Sequence, residues 1–239
     1  MPQRASSFIS SFAAVSFLCA FAAPAAAQQD SGFAFGIRTG YALPMGTEGR
    51  VVTGIGVRDV TFSADLSSDT SGMIPIWLDA GYRINPNWYV GAFVQYGFVF
   101  INEDNHPECN QFSCSAHDIR FGVNLHYHFS PAASFDPWVG AGIGYETLTV
   151  KTSGSLLGVP FETSRDSKGF EFLDLQVGGD FRTSPHFGLG PFVSFSLGEY
   201  SSYSVTTSGG GVTGTRTGDL TDTGLHEWLT IGLRGQFNL

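Results

Sequence analysis

Residues 73–100 read MIPIWLDAGYRINPNWYVGAFVQYGFVF. At a period of two, the first arm places Ile74, Ile76, Leu78, Ala80 and Tyr82 on one face. Pro75, Trp77, Asp79, Gly81 and Arg83 fall on the other, which makes the arm a strand with one apolar and one mixed face. Ile84, Asn85, Pro86 and Asn87 then reverse the chain, because Asn and Pro suit turn geometry and Pro has no N–H for a ladder. The return arm sends Trp88, Val90, Ala92, Val94, Tyr96 and Phe98 one way and Tyr89, Gly91, Phe93, Gln95 and Gly97 the other. Each arm runs for about ten residues, the length a tilted strand needs to cross a bilayer.

The same alternation recurs through the chain. In SGFAFGIRTGYAL, Phe33, Phe35, Ile37, Thr39, Tyr41 and Leu43 oppose Gly36, Arg38 and Gly40. In DIRFGVNLHYHF, Ile119 to Phe129 by twos oppose Arg120, Gly122, Asn124, His126 and His128. PWVGAGIGYETLTV sets Val139, Ile143 and Tyr145 against Trp138, three glycines and Glu146. FEFLDLQVGGDF sets Leu173, Leu175, Val177 and Phe181 against Phe172, Asp174, Gln176 and Asp180. FGLGPFVSFSLG and HEWLTIGLRGQFNL follow suit, the last with Arg234 on its mixed face. Short turns at 84–87, 130–136 and 182–186 alternate with long connections at 44–72, 101–117, 151–169 and 198–225. The fold class predicted is all-β: an eight-stranded antiparallel up-and-down barrel, whose closure removes every sheet edge. Pro191 forfeits a ladder bond, so a bulge or irregular pairing is expected there.

Two barrels fit this alternation, a soluble carrier with its apolar face inward and a transmembrane barrel with the opposite orientation. Volume decides between them. An eight-stranded lumen is only just wide enough for side chains to fill. The apolar face carries too many Phe, Tyr and Trp rings to fit there, whereas the other face is punctuated by glycines. That face also carries Arg38, Arg83, Arg120 and Arg234 against Asp79, Glu146, Asp174 and Asp180, balanced as a paired interior network requires. Tyr82, Trp88, Tyr127, Phe129, Phe181, Phe187 and Phe237 all fall beside the short turns, where an interfacial girdle belongs.

The 239 residues carry a formal net charge of -9, with 21 Asp and Glu against 12 Lys and Arg. No basic patch is available to meet phosphates, which argues against nucleic acid as a partner. Residues 1–27 read as a cleaved secretory signal: Arg4, an apolar run from Phe8 to Ala22, and Ala25, Ala26 and Ala27 at the cleavage site. A short tail at 28–32 then precedes the barrel at 33–239. Cys19 lies inside the apolar run, which leaves Cys109 and Cys114 in INEDNHPECNQFSCSAH. Export through an oxidising compartment makes a disulfide the expected state of this pair. His106 and His117 offer a metal knuckle as the alternative.

With signal, strand count, loop asymmetry and the closing segment LTIGLRGQFNL together, the chain resembles the small outer-membrane barrels of Gram-negative bacteria, of the OmpA, OmpX and OmpW type. That family ends its last strand on an aromatic residue, whereas here Leu239 is last and Phe237 carries the ring. The resemblance implies a porin-like monomer in the outer membrane, in contact with its lipid and lipopolysaccharide. Some relatives of this size are lipid A deacylases or palmitoyltransferases. A deacylase-like site requires His and Ser two residues apart, yet the residue two after His126 is His128, and both point inward. GAGIGYE is no dinucleotide fingerprint, since its glycines lie on one strand face and open no helix. No catalytic residue, metal site or cofactor is therefore expected, and Glu103, Asp104 and Glu108 read as solvated loop charge. The functions left open are a structural or surface-interacting barrel with a largely plugged polar lumen, a narrow passive channel for small or apolar solutes, and a lipid-modifying enzyme. The ligand is unknown at this stage.

Overall fold

The computed structural model describes residues 31–55, 58–220 and 223–239. The signal expected at 1–27, Cys19 and most of the short tail lie outside the described residues. The strands are β1 (Gly32–Ile55), β2 (Arg58–Asp65), β3 (Thr70–Arg83), β4 (Trp88–Ile101) and β5 (Ser113–His128). They continue with β6 (Phe135–Leu156), β7 (Val159–Ser184), β8 (Phe187–Gly209), β9 (Val212–Asp219) and β10 (Leu225–Asn238). A single helical turn, α1 (Leu66–Asp69), stands between β2 and β3.

Pairing runs β10-β1-β3-β4-β5-β6-β7-β8, and β8 pairs back to β10 to close an antiparallel ring. Closure joins the two chain ends: Phe35 lies opposite Phe237 and Leu43 opposite Leu229. β2 and β9 stand outside the ring, each folded back on the outer half of its predecessor. The helical turn is far too short to span a bilayer, and crossing falls to the strands.

The apolar face points outward on every ring strand, so Phe35, Leu78, Val94, Phe121, Ile143, Val177, Leu189 and Ile231 are all exposed. At the short-turn end the rings gather across strands. Trp88 meets Tyr127 with centroids 4.9 Å apart, Tyr127 meets Phe129 at 5.1 Å, Phe135 meets Phe181 at 4.8 Å, and Phe187 meets Phe237 at 5.7 Å. Phe33 and Tyr82 add a further pair at 5.3 Å. These clusters form a ring of aromatic side chains at one level of the wall, as a membrane interface requires.

The structure corrects two expectations. The segments at 151–169 and 198–225 are largely strand rather than polar connection: β6 and β7 stay paired out to Leu156 and Val159, and β8 and β9 to Gly209 and Val212. Their Thr- and Ser-rich sequences have no apolar face and so read as loop. A ladder nevertheless forms, because β-branched residues suit an extended backbone and the neighbouring strand supplies every partner. Phe172 does not share the interior with Asp174 but is exposed, and Glu171 is buried in its place. The cause is a register shift between Glu171 and Leu173, where an extra residue inverts the alternation. At Pro191 the expected irregular pairing is present, without a bulge. The β7–β8 register is the same on both sides, from Gly178 with Phe192 to Phe181 with Leu189, and pairing lapses between them.

Candidate functional site

Among the described residues, buried polar chemistry is concentrated in the lumen. All eight predicted lumen residues, Arg38, Asp79, Arg83, Arg120, Glu146, Asp174, Asp180 and Arg234, are buried there. They fall into three layers.

The middle layer is built on Arg38 of β1. Its Nε donates to Asp79 Oδ2 at 2.9 Å and its Nη2 to Asp79 Oδ1 at 2.6 Å, a bidentate fork across neighbouring strands. Nη1 donates to Gln176 Oε1 at 2.7 Å, and Gln176 Nε2 donates on to Asp174 Oδ2 at 2.6 Å, so the network spans the lumen. Asn124 Nδ2 completes the set on Asp79 at 3.0 Å. Trp77 and Phe192 flank the guanidinium, whose carbon lies 5.0 Å and 5.8 Å from their ring centroids. Glycine makes room for the interior rings: a Cβ at Gly232 would lie 2.9 Å from Phe192, and one at Gly178 would lie 2.6 Å from the Trp138 ring of the next layer.

The layer nearest the short turns holds Arg83, His126, His128, Asp136, Trp138, Asp180 and Arg234. Arg83 donates to Asn238 Oδ1 at 2.8 Å and to the Pro86 carbonyl at 3.0 Å, and meets His128 Nε2 at 3.5 Å. His128 Nδ1 shares a 2.8 Å hydrogen bond with Asp136 Oδ2, and Arg182 approaches that carboxylate at 3.7 Å. Arg234 lies 3.6 Å from Asp180 and rests over Trp138, whose Nε1 donates to Asp180 at 3.2 Å. His126 is stacked between Tyr89 and Trp138. Both histidines face the interior, away from lipid.

The third layer, toward the long loops, gathers three carboxylates about Arg120. Asp118 Oδ2 accepts from Nε at 2.9 Å, Glu171 Oε2 from Nη1 at 3.2 Å, and Glu146 Oε1 lies 3.3 Å from Nη2. Glu146 also accepts from Tyr200 Oη at 2.6 Å and from Trp228 Nε1 at 3.3 Å, and it pairs with His226 Nε2 at 3.1 Å. Above this cluster Ala42, Leu66, Met73, Val99, Leu148, Tyr200, Leu220 and Trp228 pack into one apolar group. Leu66 belongs to α1, so part of the first long connection serves as a lid over the charged interior.

The lid is tied to the cysteine loop. Asn102 N donates to the Asp69 carbonyl and Asn105 Nδ2 to the Ser68 carbonyl. His106 bridges Asp69, at 3.4 Å, and Glu108, at 2.9 Å. The hydrogen bond from His106 holds the Glu108 carboxyl below its ordinary range. Cys109 and Cys114 are joined in a disulfide, with Cα atoms 5.4 Å apart. Asp69, His106, Glu108, both cysteines and Arg165 line a cleft of about 180 Å³ here. Among the described residues no group of three or more His, Cys, Asp or Glu is disposed to hold a metal ion.

Sequence reading missed Glu171, Asp118, Asp136 and His226. Asp118 and His226 were legible, since each shares its strand face with a named lumen residue, Arg120 and Arg234. Glu171 was not, because only the bulge turns it inward.

The description of one protein family, the outer membrane protein beta-barrel domain, matches residues 12–223. The chain belongs to this family. It is an outer-membrane protein, and its barrel is the membrane-spanning domain that defines the family. Among solved structures, it is similar to a major outer membrane protein from Thermus thermophilus, with a TM-score of 0.51 and 10% identity over 86% of this chain and 99% of that one. Neisserial surface protein A gives a TM-score of 0.48 at 12% identity, covering 88% of this chain and 100% of that one. OprG from Pseudomonas aeruginosa gives 0.47 at 14%, covering 89% and 99%. At 10% identity the likeness to the Thermus barrel concerns the fold alone. No curated protein matches the chain.

Proposed function

We propose that this outer-membrane barrel is closed to solutes and acts through its outer surface, as a structural or surface-interacting protein. The observation that carries the reading is the lid: Leu66, Met73, Val99, Leu148, Leu220 and Trp228 lie over an interior already filled by the Arg120 and Arg38 layers. A solute would have to break the bidentate Arg38–Asp79 fork and leave both charges buried without partners, which is strongly unfavourable. The protein is read as a monomer in contact with outer-membrane lipid and lipopolysaccharide, since the closed ring offers no edge within the membrane. It is also read as non-catalytic: His126 and His128 are packed into the closed interior, out of reach of a lipid substrate.

Planar-bilayer recording on the purified protein tests this directly. Reconstituted barrels should add no steady conductance above the lipid baseline. A stable unitary conductance abolished by no change of voltage would make the protein a narrow channel instead. Turnover of labelled lipid A by the same preparation would make it an enzyme.

A further inference from the structure

The β6–β7 and β8–β9 hairpins rise beyond the lid side by side. From Leu148, in the lid, to the tip is roughly 30 Å of strand at the usual rise per residue. Pairing holds along the way, with Phe161 opposite Gly209, and Thr206 hydrogen-bonded to Thr215 at 3.1 Å. Phe112 of the cysteine loop braces the stalk against Phe161, with ring centroids 5.0 Å apart. The tips are therefore held on a ladder rather than free.

Each tip is a two-residue turn with both φ angles positive. At the second these are Gly210 and Gly211, as that geometry favours, but at the first they are Leu157 (φ 52°) and Gly158 (φ 81°). A leucine in the left-handed region is strained, and Asn or Gly would serve the turn better. This leucine is also 98% exposed, so neither the turn nor burial accounts for it. Leu156 (62% exposed) and Val159 flank it, and Val212 (73% exposed) stands on the neighbouring tip. The two tips adjoin, since a Cβ at Gly210 would lie 3.7 Å from Val159 Cγ1. Residues 152–161 and 200–215 contain no charged side chain. Single exposed leucines need no explanation, but four exposed apolar side chains on two adjoining, uncharged tips, one of them strained, do.

We propose that these paired tips insert Leu156, Leu157, Val159 and Val212 into the lipid surface of a second, apposed membrane, with zwitterionic phospholipid as the ligand class. The inference rests on the surface-interaction reading above and names its partner. Two protruding turns without charge fit a fluid apolar layer. A protein partner would instead be met by the aromatic and arginine anchors that centre protein interfaces, which the tips lack. A net charge of -9 disfavours anionic lipid and selects the zwitterionic surface.

The test uses the purified protein in nanodiscs, mixed with dioleoylphosphatidylcholine vesicles and separated by flotation. The wild type should float with the vesicles. Leu157→Asn, which suits the turn and leaves folding intact, should weaken binding by about tenfold, the effect of losing one buried leucine. Leu157→Trp should show an emission shift to the blue and quenching by brominated lipid. Unchanged binding by Leu157→Asn, or an unshifted Leu157→Trp, overturns the proposal. Leu157-dependent self-association of the protein in detergent micelles, where no apposed bilayer is present, also overturns it, by making the partner another copy of the chain. Planar-bilayer conductance measured on the same purified protein separates the two readings. A closed lumen without vesicle binding removes only the tip inference, whereas a conducting lumen removes the surface-interaction reading beneath it.

Discussion

Replacing Arg38 by methionine removes the cation at the centre of the lumen while keeping a side chain of similar length. Asp79 then loses two charge-assisted bonds, at 2.9 Å and 2.6 Å, and Gln176 loses its donor at 2.7 Å. Among the described residues, the 3.0 Å bond from Asn124 is what still supports the carboxylate. Breaking a buried ion pair from one side costs about 3–5 kcal/mol, because the remaining charge stays desolvated. The companion variant Arg38→Met with Asp79→Leu removes both charges, and apolar replacement of a whole buried pair is often close to neutral. Asn124 and Gln176 would then each lack one partner, at a cost of about 1–3 kcal/mol for an unsatisfied group. The double variant should therefore recover about 2 kcal/mol, the cost of the stranded charge less that of the newly unpaired Asn124. Urea unfolding from phosphatidylcholine vesicles measures this, with fluorescence of Trp77, 5.0 Å from the guanidinium, as a local reporter. A loss below about 1 kcal/mol for Arg38→Met would place the pair in the range of solvated surface bridges and refute the account of the lumen.

Other expectations follow from the lid and its tether. Cys109 and Cys114 should resist alkylation in native material until a reductant is added, and free labelling of both would contradict the bond. Reduction should loosen the cysteine loop in hydrogen exchange but leave the barrel intact, since closing so small a ring contributes only about 2 kcal/mol. The Glu108 carboxyl is depressed in the folded state by His106, so its contribution is present above the ordinary value of 4.5 and is lost as pH falls through the lower folded value. The protection of the amides at residues 102–108, relative to their intrinsic exchange rates, should thus hold at pH 5 and be lost only as the pH falls below 4.5, and loosening already complete at pH 5 would contradict this. Leu66→Ala should open a gap in the lid and cost about 2–5 kcal/mol, read as a lower urea midpoint.

Much of this architecture is legible in the sequence, for physical reasons that differ by element. The hairpin at 73–100 has a buried face on one side and lipid on the other, so a one-residue slip would exchange Asp79 for Leu78, and the pattern fixes its register. The lumen cations and anions were legible for the same reason. The outer halves of β6, β7 and β8 meet solvent on both faces, and a pattern method has no contrast to read there. The burial of Glu171 depends on a bulge that composition does not signal. The lid depends on Leu66, one of several apolar residues in the first long connection, whose value appears only once the barrel beneath it is closed.

The central claim is that the apolar face of each strand meets lipid and the mixed face lines a closed interior. Val94 and Gln95 are consecutive in β4, and their surroundings differ completely: Val94 is 48% exposed on the wall and Gln95 is 0% exposed inside. The most direct measurement is the oxygen accessibility of a spin label placed at each position in turn, in protein reconstituted into phosphatidylcholine bilayers. The label at Val94 should collide freely with lipid-soluble oxygen, and the label at Gln95 should be shielded from it. A Val94 label shielded from lipid, with the apolar face lining a cavity, would make the protein a soluble carrier and contradict the account.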